Sequence, residues 1–438
     1  MFSRHLFSLV LLVVALCAAA ESPFGATVVE CVTAARDLRF NNPNNVLGEP
    51  ARFVKVYYGD MGGVASDAYG GVAHPVVPAY TGGLHLTLMS PDEEDEDRPG
   101  YVIIAFDHDV EDDPDNPFGV DFIVFGNSGC TKSTNTGMTA LDDPATCRLT
   151  AYGFPEESVV EVAQNPNGPW YGSETWRTSD GFAPTLGYRY DPANADTNLY
   201  SGNLWWGAKT DATFPVDPRI DFSDCAGLTL AELCQRYNGS AGGAGYDLAD
   251  VEGLPVNAQG RKWFRYVKIS CAWGEKLDPE SGEYEGDFGF SEPEVDAVAD
   301  VRPATGYERW RERYYTDWAT AWQATPEAFA ANGLPNGINC VYGLAPTDAA
   351  AALNVPPFEI ASFEPKEGFH EIKMRSPTEL SATPTGLVVR AAVSLDSTWW
   401  KVIPKLAENP ELQSDGTWLN TFTVPNDGAK FFKLSLDE

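Results

Sequence analysis

The sequence is poor in basic residues. It contains 30 Lys and Arg against 63 Asp and Glu in 438 residues, and its formal net charge at pH 7 is −33. Such a surface repels the phosphates of DNA and RNA, which argues against a nucleic-acid partner. The excess of carboxylates favours solubility, and it suits hard cations such as Ca²⁺, which bind oxygen ligands.

Histidine and the common catalytic motifs are also scarce. The chain has five His, and no pair of them after the first twenty residues has metal-ligand spacing. There is no HExxH, no CxxC and no GxSxG, since Ser128 lies in GNSGC. The glycine-rich segment GGAGYD at 242–247 lacks the strand and helix that would make it a phosphate-binding loop. These absences favour a non-catalytic protein.

Only one apolar run is long, and it lies at the start of the chain. Leu6–Leu16 follows the basic Arg4 and precedes three small residues at 18–20, which is typical of a cleavable secretion signal. The run is shorter than the roughly 20 residues that cross a bilayer. We therefore expect residues 1–20 to be a signal peptide and the rest to be extracellular or on the cell surface, with no transmembrane span. A lipoprotein signal at Cys17 is the alternative.

Seven cysteines follow this segment. Cysteines of exported proteins usually form disulfides, which is the expectation here. Because seven is odd, at least one thiol is free or pairs between chains. Short loops close easily and favour the first two of the following pairs. The predicted pairs are Cys225 with Cys234, Cys130 with Cys147, and Cys31 with Cys271, which leaves Cys340.

Short runs of alternating β-branched and aromatic residues recur between the 40 Gly and 32 Pro of the chain. This pattern predicts a mainly β protein, with a β-sandwich that carries long loops. The predicted strands are 101–106, 120–126, 158–163, 263–270 and 295–301, followed by 369–375, 386–395, 418–425 and 430–437.

Two segments have helical periodicity. Leu228–Tyr237 is a short amphipathic candidate. Tyr307–Ala330 is the longest candidate, in which Trp310, Tyr314, Trp318 and Trp322 recur every three or four residues. Such an aromatic stripe indicates a helix packed in a core rather than a ligand site. The predicted parts are a signal peptide over 1–20, a β-sandwich domain over 21–303, a helical connector over 304–347, and a small β-sandwich over 348–438.

The densest acidic segment is FDHDVEDDPDNPFGVDF at 106–122, between two predicted strands. Its proline and glycine residues force a turn, and carboxylates on such a turn can supply the 6 to 8 oxygens that Ca²⁺ takes. The spacing differs from the EF-hand loop. The alternative is a turn whose Asp and Asn side chains bond their own backbone. The candidate metal ligands are Asp113, Asp115, Asn116 and Asp121.

Tryptophan is abundant, with 12 residues, and several aromatic residues lie in predicted loops. Exposed aromatic rings stack on sugars, so these residues are candidate glycan contacts. The alternative is that their rings fold back onto their own domain. The candidates are Trp170, Tyr171, Trp205, Trp206 and Trp273.

Residues 28–303 resemble a family of secreted or surface proteins from planctomycete- and verrucomicrobium-type bacteria. The most specific matching segments are FGVDFIVFGN (118–127) and PEVDAVADV (293–301). Through NNVLGEP (44–50) and RYVKI (265–269), the region is more distantly similar to the discoidin, or F5/8 type C, class of galactose-binding-like domains. The resemblance implies a jelly-roll β-sandwich with a structural calcium between the early loop and the last strand. The implied ligands are Asn45, Glu49, Glu294 and Asp296.

The C-terminal part has a resemblance of its own. INCVYGLAPTD (338–348) is similar to the segment before C-terminal β modules of the same bacteria, and AKFFKLSL (429–436) is similar to their closing strand. The run of Asp that usually precedes such a segment is missing, so we expect no calcium there.

Together these features predict a non-catalytic binding protein outside the cell. Its expected partners are glycans or cell-envelope polymers, and its expected ion is a structural Ca²⁺. One alternative is a glycan-active hydrolase or lyase that uses acids of segment 107–121, since such enzymes need two carboxylates about 5 to 10 Å apart. The other is a structural component of the cell envelope.

Overall fold

The computed structural model shows a mainly β protein with several antiparallel sheets, as the sequence predicts. No helix in the described part of the chain is long and apolar enough to cross a membrane. The structure describes residues 21–36, 40–56, 72–76, 85–92, 95–133, 136–137, 142–153, 156–174, 176, 181, 183–194, 205–277, 284–326, 328–341, 343–348, 359–366, 369–376, 387–392, 401–403, 408–414, 418–425 and 431–436. The predicted signal peptide lies outside these residues.

The region up to residue 303 is built mainly from strands, with two short α-helices. The helices are α1 (Phe222–Cys225) and α2 (Leu230–Arg236). The strands are β1 (Thr27–Val32), β2 (Phe53–Val56), β3 (Val72–Pro75), β4 (Leu86–Thr87), β5 (Tyr101–Glu111), β6 (Phe122–Phe125), β7 (Gly129–Ser133), β8 (Thr136–Gly137), β9 (Ala151–Gly153), β10 (Ser158–Ala163), β11 (Tyr188–Tyr190), β12 (Trp206–Lys209), β13 (Ala244–Tyr246), β14 (Trp263–Cys271), β15 (Trp273–Leu277), β16 (Tyr284–Phe290), β17 (Glu294–Val295) and β18 (Ala297–Asp300).

Two antiparallel sheets share the main hydrophobic core of this region. One has the strand order β1-β5-β14-β10 and the other the order β13-β6-β18. Val267 and Ile269 of β14 and Phe122 and Val124 of β6 contribute to the same buried cluster. The arrangement is consistent with a β-sandwich. All five strands that the sequence predicts here are confirmed, with ends that shift by a few residues.

Strand β6 is buried on both of its faces. Phe122 and Val124 point into the main core, whereas Ile123 and Phe125 belong to a second cluster on the other face of the sheet. A continuous apolar run, FIVF, is what such a doubly covered strand requires. The residues just before β6 are buried as well. Their polar groups therefore need hydrogen-bond partners inside the protein.

Helix α2 forms where the sequence predicts one. Thr229 and Glu232 make a reciprocal capping box, with Glu232 N donating to Thr229 Oγ1 at 3.2 Å and Thr229 N donating to Glu232 Oε2 at 2.8 Å. This arrangement satisfies two backbone donors at the start of the helix. The apolar side of α2 then packs in a cluster with Trp206 and Cys225.

The predicted single helix over 307–330 is wrong, because the connector contains three short helices, α3 (Gly306–Tyr314), α4 (Trp318–Ala321) and α5 (Asn336–Val341). Asp317 accepts hydrogen bonds from the N–H and the hydroxyl of Thr320, and so starts a new turn after α3 has ended. The aromatic stripe itself is core, as predicted: Tyr307 and Trp310 are buried together with Cys340.

Helix α3 is tied to the first domain by charge pairs. Arg302 contacts Asp211 at 2.7 Å and Glu308 at 2.9 Å, and Arg309 contacts Asp115 at 3.1 Å. The connector is therefore docked on the β domain.

The C-terminal region forms two further antiparallel sheets, with the orders β19-β20-β24-β23 and β22-β21-β25. Four of these strands coincide with the four predicted ones. Their bounds are β19 (Glu359–Lys366), β20 (Phe369–Ser376), β21 (Leu387–Ala392), β22 (Lys401–Ile403), β23 (Glu408–Leu412), β24 (Trp418–Pro425) and β25 (Phe431–Leu436).

The predicted disulfides are corrected by the structure, in which all seven of these cysteines are free. Cys31 lies on β1 and Cys271 on β14, and β5 runs between them. Two strand spacings put these residues about 10 Å apart, which exceeds the limit of about 7 Å between the Cα atoms of a disulfide. Cys130, Cys225 and Cys234 are buried in one hydrophobic cluster as thiols.

The cysteines should therefore react in two classes. Burial raises the pKa of both Cys271 and Cys340 to about 12, and the thiolate is the reactive form. We expect the native protein to expose only Cys31 and Cys147 to a thiol reagent, because the other five are buried. Titration in denaturant should then find all seven thiols in the chain after residue 20, and a smaller number would show that a disulfide forms.

Candidate functional site

The acidic segment after β5 forms a turn that its own side chains stabilise. Asp113 Oδ1 accepts a hydrogen bond from Asp115 N at 3.0 Å, and Asn116 N donates to the Asp113 carbonyl at 2.9 Å. A short 3-10 helix over Pro117–Gly119 follows, with Phe118 at φ 58°. Left-handed backbone is unusual for a residue with a side chain. The turn reverses the chain so that Asp121 lies next to the residues that precede it.

Asp121 is the most buried carboxylate of this turn, with none of its surface exposed. Its Oδ1 accepts hydrogen bonds from Asp113 N at 3.1 Å and from Asn116 Nδ2 at 3.0 Å, and its Oδ2 accepts one from Leu248 N at 2.8 Å. Burial raises the pKa of Asp121 to about 7, and the three hydrogen bonds oppose that shift. The carboxylate therefore joins the turn to the loop after β13.

Three carboxylates meet at this point. Asp112, Asp121 and Asp247 each offer one oxygen, and the three oxygens lie within 4.8 Å of one another. Asp247 Oδ1 accepts a hydrogen bond from Ala249 N at 2.7 Å, and its Oδ2 lies over Gly119. A Cβ at Gly119 would be 3.0 Å from that oxygen, and the φ of +76° also favours glycine.

Asn116 contacts this group of acids through its side-chain nitrogen, which donates to Asp121 Oδ1 at 3.0 Å. Its side chain is 7 % exposed and lies against Asp121, and its Oδ1 is buried without a hydrogen-bond partner in the part of the chain that the structure describes. Buried amide oxygens normally have a partner. Three carboxylates beside an amide oxygen form an all-oxygen donor set of the kind that Ca²⁺ prefers.

The nearby cations lie outside this set of oxygens. Arg261 Nη1 contacts Glu111 at 3.3 Å and Asp113 at 3.0 Å. Lys262 Nζ donates to the carbonyls of Leu248 and Ala249, at 3.0 and 2.8 Å. The positive charges of Arg261 and Lys262 thus offset negative charge around the three carboxylates without contacting them.

The predicted ligands of the acidic segment are only partly brought together. Asp121 and Asn116 lie at the site, whereas Asp113 pairs with Arg261 and Asp115 pairs with Arg309. Sequence reasoning missed Asp112 and Asp247. Asp112 belongs to the same acidic run and could have been included. Asp247 had no sequence signal, because it reaches Asp121 only through the pairing of β13 with β6.

A cleft of about 490 Å³ opens beside Asp247. This volume falls in the usual range for small-ligand sites. Trp176 and Tyr246 lie at its inner wall, but each is 4 % exposed and belongs to the main hydrophobic core. Residues 243–245, two of them glycine, also line the cleft. Asp250 lines it with a second carboxylate, next to Asp247.

The calcium ligands implied by the family resemblance have other contacts. Asn45 Nδ2 donates to the His85 carbonyl at 3.0 Å, and Glu49 pairs with Arg52 at 2.8 Å. The Asp296 carboxylate accepts a hydrogen bond from the backbone N of Ala51 at 2.6 Å. The early loop and the last strand are thus joined directly by a hydrogen bond.

Glu294 also has a protein neighbour, since one of its oxygens lies 3.9 Å from His85 Nε2. Within the described ranges, no group of three acidic, His or Cys ligands includes Glu49, Glu294 or Asp296. The geometry therefore favours the site around Asp121 over the implied one as a place for a cation.

The predicted aromatic contacts are scattered over the domain. Trp206 is 3 % exposed and belongs to a hydrophobic cluster, and Trp273 packs edge-on against Phe290 in the main core. Tyr171 is partly buried against that core, whereas Trp205 lies at a left-handed position with φ 58°.

The ring of Trp170, another candidate, lies near a charged side chain. Lys268 Nζ lies 5.7 Å from the centre of the Trp170 ring and 5.8 Å from that of Tyr101. This distance allows a weak cation–π contact. The aromatic residues that line the cleft, Trp176 and Tyr246 among them, are different ones.

His108 lies at the other end of the acidic segment and bridges two carboxylates. Its Nδ1 is 2.8 Å from Asp107 Oδ1 and its Nε2 is 3.0 Å from Asp300 Oδ2. The hydrogen bonds to Asp300 and Asp107 raise the pKa of His108 to about 9, although burial opposes the shift. Burial raises the pKa of Asp300, and the charge of His108 counteracts that effect.

Comparison with models of protein families, with curated proteins and with solved structures finds no match to this chain. The interpretation of the site therefore rests on the chain's own residues. The feature that best indicates a binding site is the cluster of three carboxylates, Asp112, Asp121 and Asp247, beside Asn116.

The bridge made by His108 should make folding stability depend on pH. Because its pKa is raised from 6.5 to about 9 in the folded state, its contribution is complete below pH 6.5 and is lost as the pH rises through 9. We expect thermal melts of the native protein to lose on the order of 2 kcal/mol over this range through His108. The variant His108→Gln should lack that loss, and identical pH profiles for the two proteins would contradict the assignment.

Proposed function

We propose that this protein binds Ca²⁺ through Asp112, Asp121, Asp247 and Asn116 and acts outside the cell as a non-catalytic binding protein. The observation that carries the proposal is the meeting of three carboxylate oxygens within 4.8 Å beside the buried, unbonded Oδ1 of Asn116. Close carboxylates repel one another, and a divalent cation removes that repulsion. An amide oxygen that water does not reach gains a partner at the same time.

Calcium fits this donor set better than the other common metals. The four side chains offer oxygen only, whereas Zn²⁺ prefers nitrogen and sulfur ligands. Mg²⁺ requires near-ideal octahedral geometry, which a flexible turn supplies less readily than the irregular shell of Ca²⁺. The ion would join the turn before β6 to the loop after β13, and so would act on the stability of the domain.

The cleft beside Asp247 supports a ligand with hydroxyl groups, and we propose a glycan. Asp247 and Asp250 line the cleft and can accept hydrogen bonds from sugar hydroxyls. This assignment moves the proposed ligand contacts from the predicted loop aromatics to the cleft. The galactose-binding-like jelly roll, the signal peptide and the extracellular location are parts of the same proposal, and they rest on the resemblance and on Leu6–Leu16.

The contacts of the acidic segment favour binding over hydrolysis. Asp109 pairs with Arg265 at 2.6 Å, Asp113 with Arg261 at 3.0 Å, and Asp107 with His108 at 2.8 Å. Carboxylates held in ion pairs on the surface are poorly placed to act as an acid and base pair across a glycosidic bond.

Calcium should stabilise the protein through this site. We expect the melting temperature of the chelator-treated protein to rise on addition of Ca²⁺, because a ligand of the native state stabilises it by mass action. The variant Asp247→Asn should weaken Ca²⁺ binding at least tenfold in calorimetric titration. Asp97→Asn removes an exposed carboxylate of the chain elsewhere and should bind like the native protein.

Asp121→Asn provides a second test, and circular dichroism would show whether it remains folded. Equal affinities for the native protein, Asp247→Asn and Asp97→Asn would show that any bound calcium lies elsewhere. No binding by the native protein would end the proposal for this site.

Glycan binding should depend on the cleft separately from the ion. Asp250 lines the cleft but is outside the group of three carboxylates. We therefore expect Asp250→Ala to lose at least tenfold in affinity for a polysaccharide that the native protein retains. It should still bind Ca²⁺, with an affinity lowered less than that of Asp247→Asn, because Asp250 acts on Asp247 only through its charge. Glycan-array and pull-down assays measure this, and retention of every polysaccharide by Asp250→Ala would exclude the cleft as the binding site.

A further inference from the structure

A second cavity lies between α3 and the segment 214–238, and its charge is opposite to that of the chain as a whole. Three guanidinium groups line it, those of Arg219, Arg236 and Arg311. Asp217 and Glu312 are the acids among its lining residues. In a protein with 63 acidic and 30 basic side chains, an excess of bases at one buried place is unusual and needs a physical reason.

Arg311 is the central observation. The residue is 8 % exposed, and its guanidinium has no hydrogen bond or ion pair within the described part of the chain. Its neighbour Glu308 is already committed to Arg302, at 2.9 Å, and to the N-terminal cap of α3. Burial lowers the pKa of Arg311. The charges of Glu308 and Glu312 act on Arg311 without a direct ion pair. A buried guanidinium that makes no direct hydrogen bond is costly, so a partner is expected inside the cavity.

The other charged groups of the cavity do not supply that partner. Arg219 is held in place by both oxygens of Asp217, and its Nη1 donates to the Thr316 carbonyl at 3.0 Å. Glu312 accepts a hydrogen bond from the backbone N of Phe118, and burial raises its pKa to about 7. Among the described residues its Oε1 has no hydrogen-bond partner, and no described carboxylate lies within 4.0 Å of Arg311.

We infer that this cavity is a binding site for one small monovalent anion, a halide or a single carboxylate group, held by Arg311. The cavity volume is about 30 Å³, which is room for about two water-sized groups. Phe214 and Tyr237 line the same space, and apolar walls strengthen a charge interaction. The planar guanidinium suits both a halide and a carboxylate.

Two sources could supply the anion. The cavity and the cleft share Phe118, Asp217 and Ile220 as lining residues. The carboxylate could therefore belong to an acidic sugar in the cleft, or the anion could be free in solution. The inference itself does not require the proposed calcium site.

Anion-dependent stability tests this inference. The folded protein would be melted at constant pH and ionic strength in sodium chloride, sodium formate, sodium galacturonate, or the sodium salt of a bulky sulfonate. Chloride or formate should raise the melting temperature of the native protein by about 2 °C or more relative to the sulfonate. A shift with galacturonate identifies a sugar acid as an occupant, and a shift with chloride and formate alone identifies a free ion.

Arg313→Gln is the matched control, since it removes one positive charge from an exposed position of the same helix. It should keep the full anion-dependent shift. Arg311→Gln should lose the shift and, in the sulfonate, should be at least as stable as the native protein, because it no longer buries an unpaired charge. Equal shifts in the two variants would overturn the inference.

A direct measurement covers the case in which Arg311→Gln fails to fold. Crystals of the native protein in sodium bromide should show an anomalous peak in contact with the Arg311 guanidinium. Absence of that peak, together with no anion-dependent shift in the native protein, would overturn the assignment.

Discussion

The hydrogen bonds of Asp121 hold together three segments of the chain before residue 303. Its backbone N donates to the Tyr246 carbonyl at 2.8 Å, and its carbonyl accepts from Val301 N at 3.0 Å. Its carboxylate accepts from Asp113 N, Asn116 Nδ2 and Leu248 N. One buried residue thus joins the turn before β6 to the ends of β13 and β18. Since a buried carboxylate must keep all its partners, these segments are fixed together.

The two sites proposed here share one property, since each places buried charged groups close together without an ion pair between them. At the first site three carboxylates and the Asn116 amide oxygen collect, which calls for a cation. At the second, Arg311 is buried without a direct ion pair among the described residues, which favours an anion. Phe118, whose backbone is left-handed, lines both the cleft and the cavity.

Much of the local structure could be predicted from the sequence. The strands around 101–106 and 263–270 and the helix near Leu230 follow alternation and capping patterns that act over a few residues. The predicted helix over 307–330 is wrong because α3 ends at Tyr314 and a separate turn begins at Asp317, whose carbonyl accepts from Thr320 N and Ala321 N. The predicted disulfides are wrong for a different reason. For the pair Cys31 and Cys271, cysteine spacing does not reveal that β5 lies between the two strands that carry them.

The sequence by itself determined the acidic charge, the mainly β class and half of the candidate metal site, because Asn116 and Asp121 lie in one short turn. Only the tertiary structure decided that Asp247 completes that site and that Asp113 does not. The pairing of β13 with β6 brings residues more than a hundred positions apart into contact. Asp113 forms an ion pair with Arg261 instead of joining the site. Such contacts depend on strand order and register, which no local pattern of residues encodes.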